Sequence, residues 1–368
     1  MQFGLSESQE FLKDSTRKFF AGECPSSEIR RLMETETGYD PQLWAKLTDQ
    51  GYTGIIFPEE FGGVALGKVE LMLLMEEAGH ALLPGPFFST VVLAGTVIDT
   101  VGSPLHKKKY LAPICAGRSR ATVAILESSA SWNVKDVQLT ALDNKLTGEK
   151  LFVSDAAVAD FILVVAKNGV YAVEGNAPGL KITPMHAMDL TRKLYAIEFK
   201  DTPAELIGPT SNLPRALDVA SAALAAELVG GMQRTLDITV EYAKTRKQFG
   251  KPIGMFQAVQ HQCADMYLET ESARSAVYYA GWALEENARD ASAAVSIAKM
   301  YASDAGRTVG NRGIQIHGGM GFTWENDVHL YYRRAKANEN AFGDATFHRE
   351  RLAQLLIDAP AAANAVSS

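Results

Sequence analysis

The chain has 368 residues, 47% hydrophobic and 21% charged, with 36 Lys plus Arg against 43 Asp plus Glu and a formal charge of −7. That mix excludes a disordered chain, and the length suggests two or three domains with a sizeable core. An acidic balance, with a pI near 5.6, argues against general nucleic-acid binding.

Residues 1–115 read as helical. Ser6 followed by Gln9 is a capping box, and Phe11, Leu12, Phe19 and Phe20 recur at helical spacing behind it. Asp40-Pro41 is a second start signal, cap then proline, and Gly51 closes that helix. The run Pro58–Gly63 is a turn, and an apolar helix is expected from Lys68 to His80. Residues 116–212 change texture. Short β-rich runs appear at 121–126, 150–154, 161–165, 170–173 and 194–199, punctuated by Asp143-Asn144 and Asn168-Gly169. Such spacing argues for a β-barrel or sandwich. Residues 213–368 return to helix, with long runs at 213–246, 256–287 and 291–317 and a last one from near Asp344. The tail 361–368 is expected to fray. The expected fold is therefore mostly α: an N-terminal helical domain, a middle β-barrel and a C-terminal four-helix bundle.

Three scattered cysteines, Cys24, Cys115 and Cys263, form no disulfide framework or CxxC site, which suits a reducing compartment. The start shows no secretory pattern, and no apolar run reaches a membrane span, so a cytoplasmic protein with no membrane partner is expected. Phosphate-loop, dinucleotide, HExxH and Gly-x-Ser-x-Gly patterns are missing, and no histidine pair at i, i+4 suggests a metal. Two breaks between helices remain. Thr245-Arg246-Lys247-Gln248-Phe249-Gly250 is followed by Phe256-Gln257, and Gln315-Ile316-His317-Gly318-Gly319 closes the third long helix. Each is an ordinary helix end on its own. Equally, a basic residue beside close glycines can admit an anion or a flat ring.

These two segments, with the early Pro58-Glu59-Glu60-Phe61-Gly62-Gly63 and the later Tyr332-Arg333-Arg334-Ala335-Lys336, resemble the acyl-CoA dehydrogenase family in order and separation. The resemblance covers essentially the whole chain. It implies FAD between barrel and bundle, an acyl-CoA substrate, an electron-transfer flavoprotein or similar acceptor, and a homotetramer or heterotetramer of dimers. Matched to the motifs, Arg246 contacts the FAD pyrophosphate across a dimer interface, a role suited to a bidentate guanidinium. Phe249 and Gln257 line the same cofactor, while Gln315, Gly318 and Gly319 pass close to its adenosine end. In the middle region Leu126-Glu127-Ser128 and Phe152-Val153-Ser154 match flavin-facing segments. There Leu126 replaces a threonine, and 128–136 replaces a glycine-rich loop.

The family reaction removes an α proton with a carboxylate while a hydride leaves the β carbon for the flavin. The base is usually a Glu before the last helix. Here that segment reads Ala341-Phe342-Gly343-Asp344-Ala345-Thr346. A gapless count puts Phe342 at the base position, and a two-residue insertion puts Asp344 there. Asp344 reads equally as the N-cap of the last helix. At the family's alternative position stand Ala220-Ser221, with Glu227 two turns on as a displaced base or a buried structural partner. The resemblance therefore implies an FAD-dependent acyl-CoA dehydrogenase with Asp344 as catalytic carboxylate. The alternative is a partner subunit that supplies FAD contacts while another chain carries the base.

Overall fold

The structure is a computed structural model that describes residues 4–357; the tail expected to fray lies outside them. Helix α1 (Glu7–Glu23) starts where Ser6 accepts from the Gln9 amide and Gln9 reciprocates. Helix α2 (Ser26–Met33) follows, and α3 (Pro41–Asp49) is capped by the Asp40 carboxylate on the Gln42 amide at 2.8 Å. Helix α4 (Lys68–His80) is buried over most of its length. A π-helical turn, Phe88–Gly95, leads into the short helices α5 (Thr96–Val101), α6 (Pro104–His106) and α7 (Ala112–Cys115).

Seven strands follow: β1 (Ala121–Ala124), β2 (Lys145–Ser154), β3 (Phe161–Ala166), β4 (Gly169–Glu174), β5 (Leu180–Met185), β6 (Leu194–Pro203) and β7 (Glu205–Gly208). They form two open sheets, ordered β1-β3-β4-β7 and β2-β6-β5, where the sequence suggested one barrel. Strands β1 and β7, each four residues long, are the edges of the first sheet. The sheets join at one corner, where the Leu151 amide donates to the Leu126 carbonyl at 2.9 Å. A core including Leu146, Ile162, Val164 and Ile197 fills the space between them. Strands β5 and β7 escaped the sequence reading because their burial is mixed and short.

Helix α8 (Leu213–Thr245) runs to a tight hairpin, β8 (Lys247–Gln248) and β9 (Lys251–Pro252). Then come α9 (Gln257–Glu285), α10 (Ala291–His317), α11 (Val328–Asn340) and α12 (Ala345–Leu356). Helix α11 is an addition to the expected four. It holds the Arg333-Arg334-Ala335-Lys336 segment, whose polar texture hid a helix with Val328, Leu330, Tyr331 and Arg334 buried. Helices α4 and α8 pack backbone against backbone at Gly79 and Gly230. A Cβ on Gly230 would lie 1.8 Å from the Glu76 carbonyl oxygen, so only glycine permits this approach. One large core, including Phe57, Leu71, Leu224 and Val295, therefore runs from the N-terminal helices into the bundle.

Candidate active site

A cavity of about 700 Å³ opens between the sheets and the ends of α11 and α12. Its walls are largely apolar, with Phe88, Leu126, Trp132 and Phe342 among them, and its polar groups include Ser154, Asp189, Arg192, Asn338 and Asp344. The register between β2 and β6 shifts between Lys150 and Val153. That bulge holds Phe152 at φ +55° and leaves it half-exposed on the cavity wall. Phe342 has φ +58° and Phe249 φ +51°. A bulky residue in the left-handed region is strained by about 1–3 kcal/mol and persists only where its surroundings impose it. Three phenylalanines so placed all belong to segments singled out for function.

Ser154 and Asp344 line the cavity. Asp344 also caps α12, its Oδ1 accepting from the Phe347 amide at 2.8 Å. Beside it, Phe342 fills the wall: Trp132 stacks on it at 4.7 Å and 26°, and Phe88 meets it edge-on at 5.9 Å. The Trp132 indole N–H donates to the Asn340 carbonyl at 3.0 Å, strapping the 128–137 loop across to α11. Glu127 is not on the cavity wall. Its carboxylate anchors the root of that strap, accepting from the Gln138 and Leu139 amides at 2.9 Å and from the buried Lys150 ammonium at 2.8 Å. Burial works against its charge, and those donors outweigh it, so its pKa falls below the usual range.

Glu227 is no free base. It is buried against Arg192 and Arg334, with the Asn338 amide on its second oxygen at 2.9 Å. Burial alone would raise its pKa; the two guanidiniums reverse that and hold it at about 2. Arg334 in turn binds Asp189 at 2.6 Å and the Thr191 hydroxyl. Of the two carboxylates on the cavity wall, Asp189 is thus neutralised and Asp344 is the one left beside the turn. The sequence reading missed Arg192, Arg334, Asn338, Lys150 and Trp132. For Arg192, Arg334 and Asn338 a glutamate inside the Ala-Leu run of α8 was the visible trace, because a buried carboxylate demands a cation.

The remaining expected residues gather elsewhere. Arg246, Phe249, Gln257, Gln315, Gly318 and Gly319 are all exposed at one end of the bundle. Tyr242 of α8 stacks on His317 of α10 at 4.4 Å and so joins the two helix ends. Gly318 has φ +59° and ψ −137°, a conformation that favours glycine, and neither glycine has a neighbour within 4 Å of an added Cβ. Their backbone is open to a ligand. This end lies far from the cavity. Lys299, behind the cavity turn, and His317 are both on α10. The roughly 18 steps between them, at ~1.5 Å each, span about 27 Å.

Both clusters fit parts of FAD. The cavity offers aromatic and aliphatic walls with a hydroxyl for a flat ring, and the hairpin end offers a guanidinium and open backbone for a pyrophosphate. They do not fit the same molecule within one chain. A five-carbon ribityl linker spans roughly 8 Å at ~1.5 Å per bond.

Known proteins resemble the chain over nearly its whole length. The family model described as acyl-CoA dehydrogenase, N-terminal domain, matches residues 6–118, and that of the C-terminal domain matches residues 213–357. The chain is 32% identical to acyl-CoA dehydrogenase IpdE2 of Mycolicibacterium smegmatis, over 95% of this chain and 98% of that protein. A chain of the ChsE4-ChsE5 complex from Mycobacterium tuberculosis superposes with a TM-score of 0.90 at 29% identity, covering 98% of this chain and 100% of that one. A structure of PigA with FAD and proline superposes with a TM-score of 0.88 at 26% identity, covering 96% and 98%.

Proposed function

The chain belongs to the acyl-CoA dehydrogenase family, FAD-dependent oxidoreductases acting on CH–CH groups, and we propose that it works in an assembly where each FAD lies between the cavity of one chain and the hairpin end of another. The observation that carries this reading is the separation of about 27 Å along α10 between two clusters that suit one cofactor. In it, Phe152 and Ser154 hold the ring portion, and Arg246 with Phe249, Gln257, Gln315, Gly318 and Gly319 hold the pyrophosphate and adenosine end for a neighbour. Glu127 contributes through the strap. When bound, FAD supplies the two-electron acceptor for the β-carbon hydride of an acyl-CoA. Asp344 is the carboxylate placed to take the α proton, at the cost of sharing its side chain with the α12 cap. The walls exclude water from the carbanion-like centre.

A second reading has its own support. Phe342 stands at the gapless base position and is pinned by Trp132 and Phe88. In that reading this chain is the partner subunit of a heterotetramer of dimers, and a different chain carries the base; the first reading needs only a homotetramer. The division into domains at 1–115, 116–212 and 213–368, a closed barrel in the assembly, an electron-transfer flavoprotein as acceptor and a cytoplasmic location belong to the same proposal. Three free cysteines support the last. Among the described residues no helix is long and apolar enough to cross a membrane.

The visible spectrum of the chain purified alone separates the readings. A yellow protein whose turnover of an acyl-CoA is abolished by Asp344→Asn supports the first. A colourless protein that gains flavin and turnover only with a partner chain favours the second, and full turnover in Asp344→Asn removes Asp344 as the base.

A further inference from the structure

Lys299 is fully buried on α10. Its Nζ donates to the carbonyl oxygens of Asn338 at 2.9 Å, Glu339 at 3.1 Å and Gly343 at 2.9 Å, with Ser303 Oγ at 3.2 Å. The first two carbonyls end α11 and have no partner within their own helix. The third lies in the turn 341–344. That turn is demanding: Phe342 has φ +58° and Gly343 φ +98°, and a Cβ on Gly343 would lie 2.2 Å from the Phe347 ring. From α12, His348 Nε2 bonds the Phe342 carbonyl at 3.1 Å. Two buried side chains therefore impose a conformation the backbone would not choose. What they impose faces the cavity, since Phe342, Gly343 and Asp344 all line it, and Phe342 seats Trp132.

We propose that Lys299 is a positioning residue for the active-site cavity: from behind the wall it fixes the turn 341–344, and through Phe342 it fixes the seat of Trp132. Lys299 touches neither the cavity nor Trp132. The inference goes beyond the cofactor reading, and its test does not depend on what fills the cavity.

The mechanism is a count of protons. An ammonium has three N–H donors to share among the three carbonyls and Ser303 Oγ, whereas a neutral amine has two donors and a lone pair. Loss of one proton releases one carbonyl and loosens the turn. Burial pulls the Lys299 pKa from its ordinary value to about 7, against the opposing pull of the Glu339 and Asp344 carboxylates. From α12 the cluster is also faced by His348, which burial and then Lys299 and Arg351 push to about 3. Arg351 itself pairs with Asp218 of α8 at 2.6 Å. Glu227 lies beyond Asn338, held by Arg192 and Arg334 at about 2. His348 and Glu227 change charge far below neutrality, so Lys299 is the group whose charge changes around it.

Trp132 reports on the turn. The emission of the full chain minus that of Trp132→Phe isolates its signal, followed from about pH 6 to about pH 9. The expected result is a sigmoidal change centred within about one unit of the Lys299 value, lost in Lys299→Met and lost equally in Lys299→Arg, whose guanidinium keeps its charge and holds the low-pH signal throughout. A flat wild-type signal, or a transition that survives in Lys299→Met, overturns the proposal. A lysine that only supported folding would lower the melting temperature of Lys299→Met and leave that transition in place. Should Lys299→Met fail to fold, Ser303→Ala keeps the lysine but removes an acceptor from its ammonium. Its midpoint is expected to fall, and an unmoved midpoint overturns the proposal as well.

Discussion

The two ends of the bundle are built on opposite plans. At the cavity end the important groups are buried and hold one another: Glu227 between Arg192 and Arg334, Lys299 under α11, Glu127 on Lys150. At the hairpin end they are exposed, and Phe249 is 91% accessible. The contrast separates two kinds of work. The cavity must keep a shape, which needs mutual support inside the chain. The hairpin end presents its groups outward, as the proposed contact with a neighbouring chain's FAD requires.

Substitutions at the two ends therefore fail differently. The largest effect on folding is expected from Glu227→Gln, which takes the shared carboxylate from the Arg192 and Arg334 guanidiniums and leaves Arg334 with the Asp189 carboxylate alone. Breaking such a pair costs about 3–5 kcal/mol, read as a lower denaturation midpoint. The same residue sets an acid limit. Its folded pKa of about 2 lies below the ordinary carboxylate range, so its stabilisation is complete above that range and is lost as pH falls toward 2. Glu227→Gln should flatten that acid limb; an unchanged limb would mean the network is not where the charge is held.

At the other end Arg246→Ala should leave stability within about 0.5 kcal/mol and weaken FAD binding roughly 10–100-fold, the worth of one charge-assisted hydrogen bond pair. A large loss of stability there would break the contrast. Back in the cavity, Trp132→Phe keeps the stack on Phe342 but loses the bond to the Asn340 carbonyl. About 1 kcal/mol is expected, visible as a lower melting temperature. The smallest effect belongs to Phe249→Ala, where so exposed a ring should change the stability of the separate chain by less than about 0.5 kcal/mol.

The same division explains what was legible in the amino-acid order. Local signals located elements well: the Ser6-Gln9 box, the Asp40-Pro41 start and the 68–80 and 291–317 helices all stand where patterning put them. The hairpin-end residues were singled out from two short segments, 246–257 and 315–319, which the fold brings to one end of the bundle. The cavity end was not legible in that way. Lys299 is joined to residues about forty positions away, and periodicity records only that a lysine occupies a helix face shared with Val295 and Ala302, both buried. Arg192 looks like any loop arginine until Glu227 is brought to it. The middle region was legible as strands and not as a closed barrel, since closure depends on edge pairing that short strands such as β1 and β7 do not reveal. Asp344 reads as a cap and is one; its place on the cavity wall is a tertiary fact.

The central claim is that each flavin is held by two chains. Native mass spectrometry of the purified assembly loaded with FAD tests it most directly. Every flavin-bearing species should contain at least two chains, and Arg246→Ala should strip the flavin while leaving the fold intact. A single chain carrying stoichiometric FAD, indifferent to Arg246→Ala, would contradict the account.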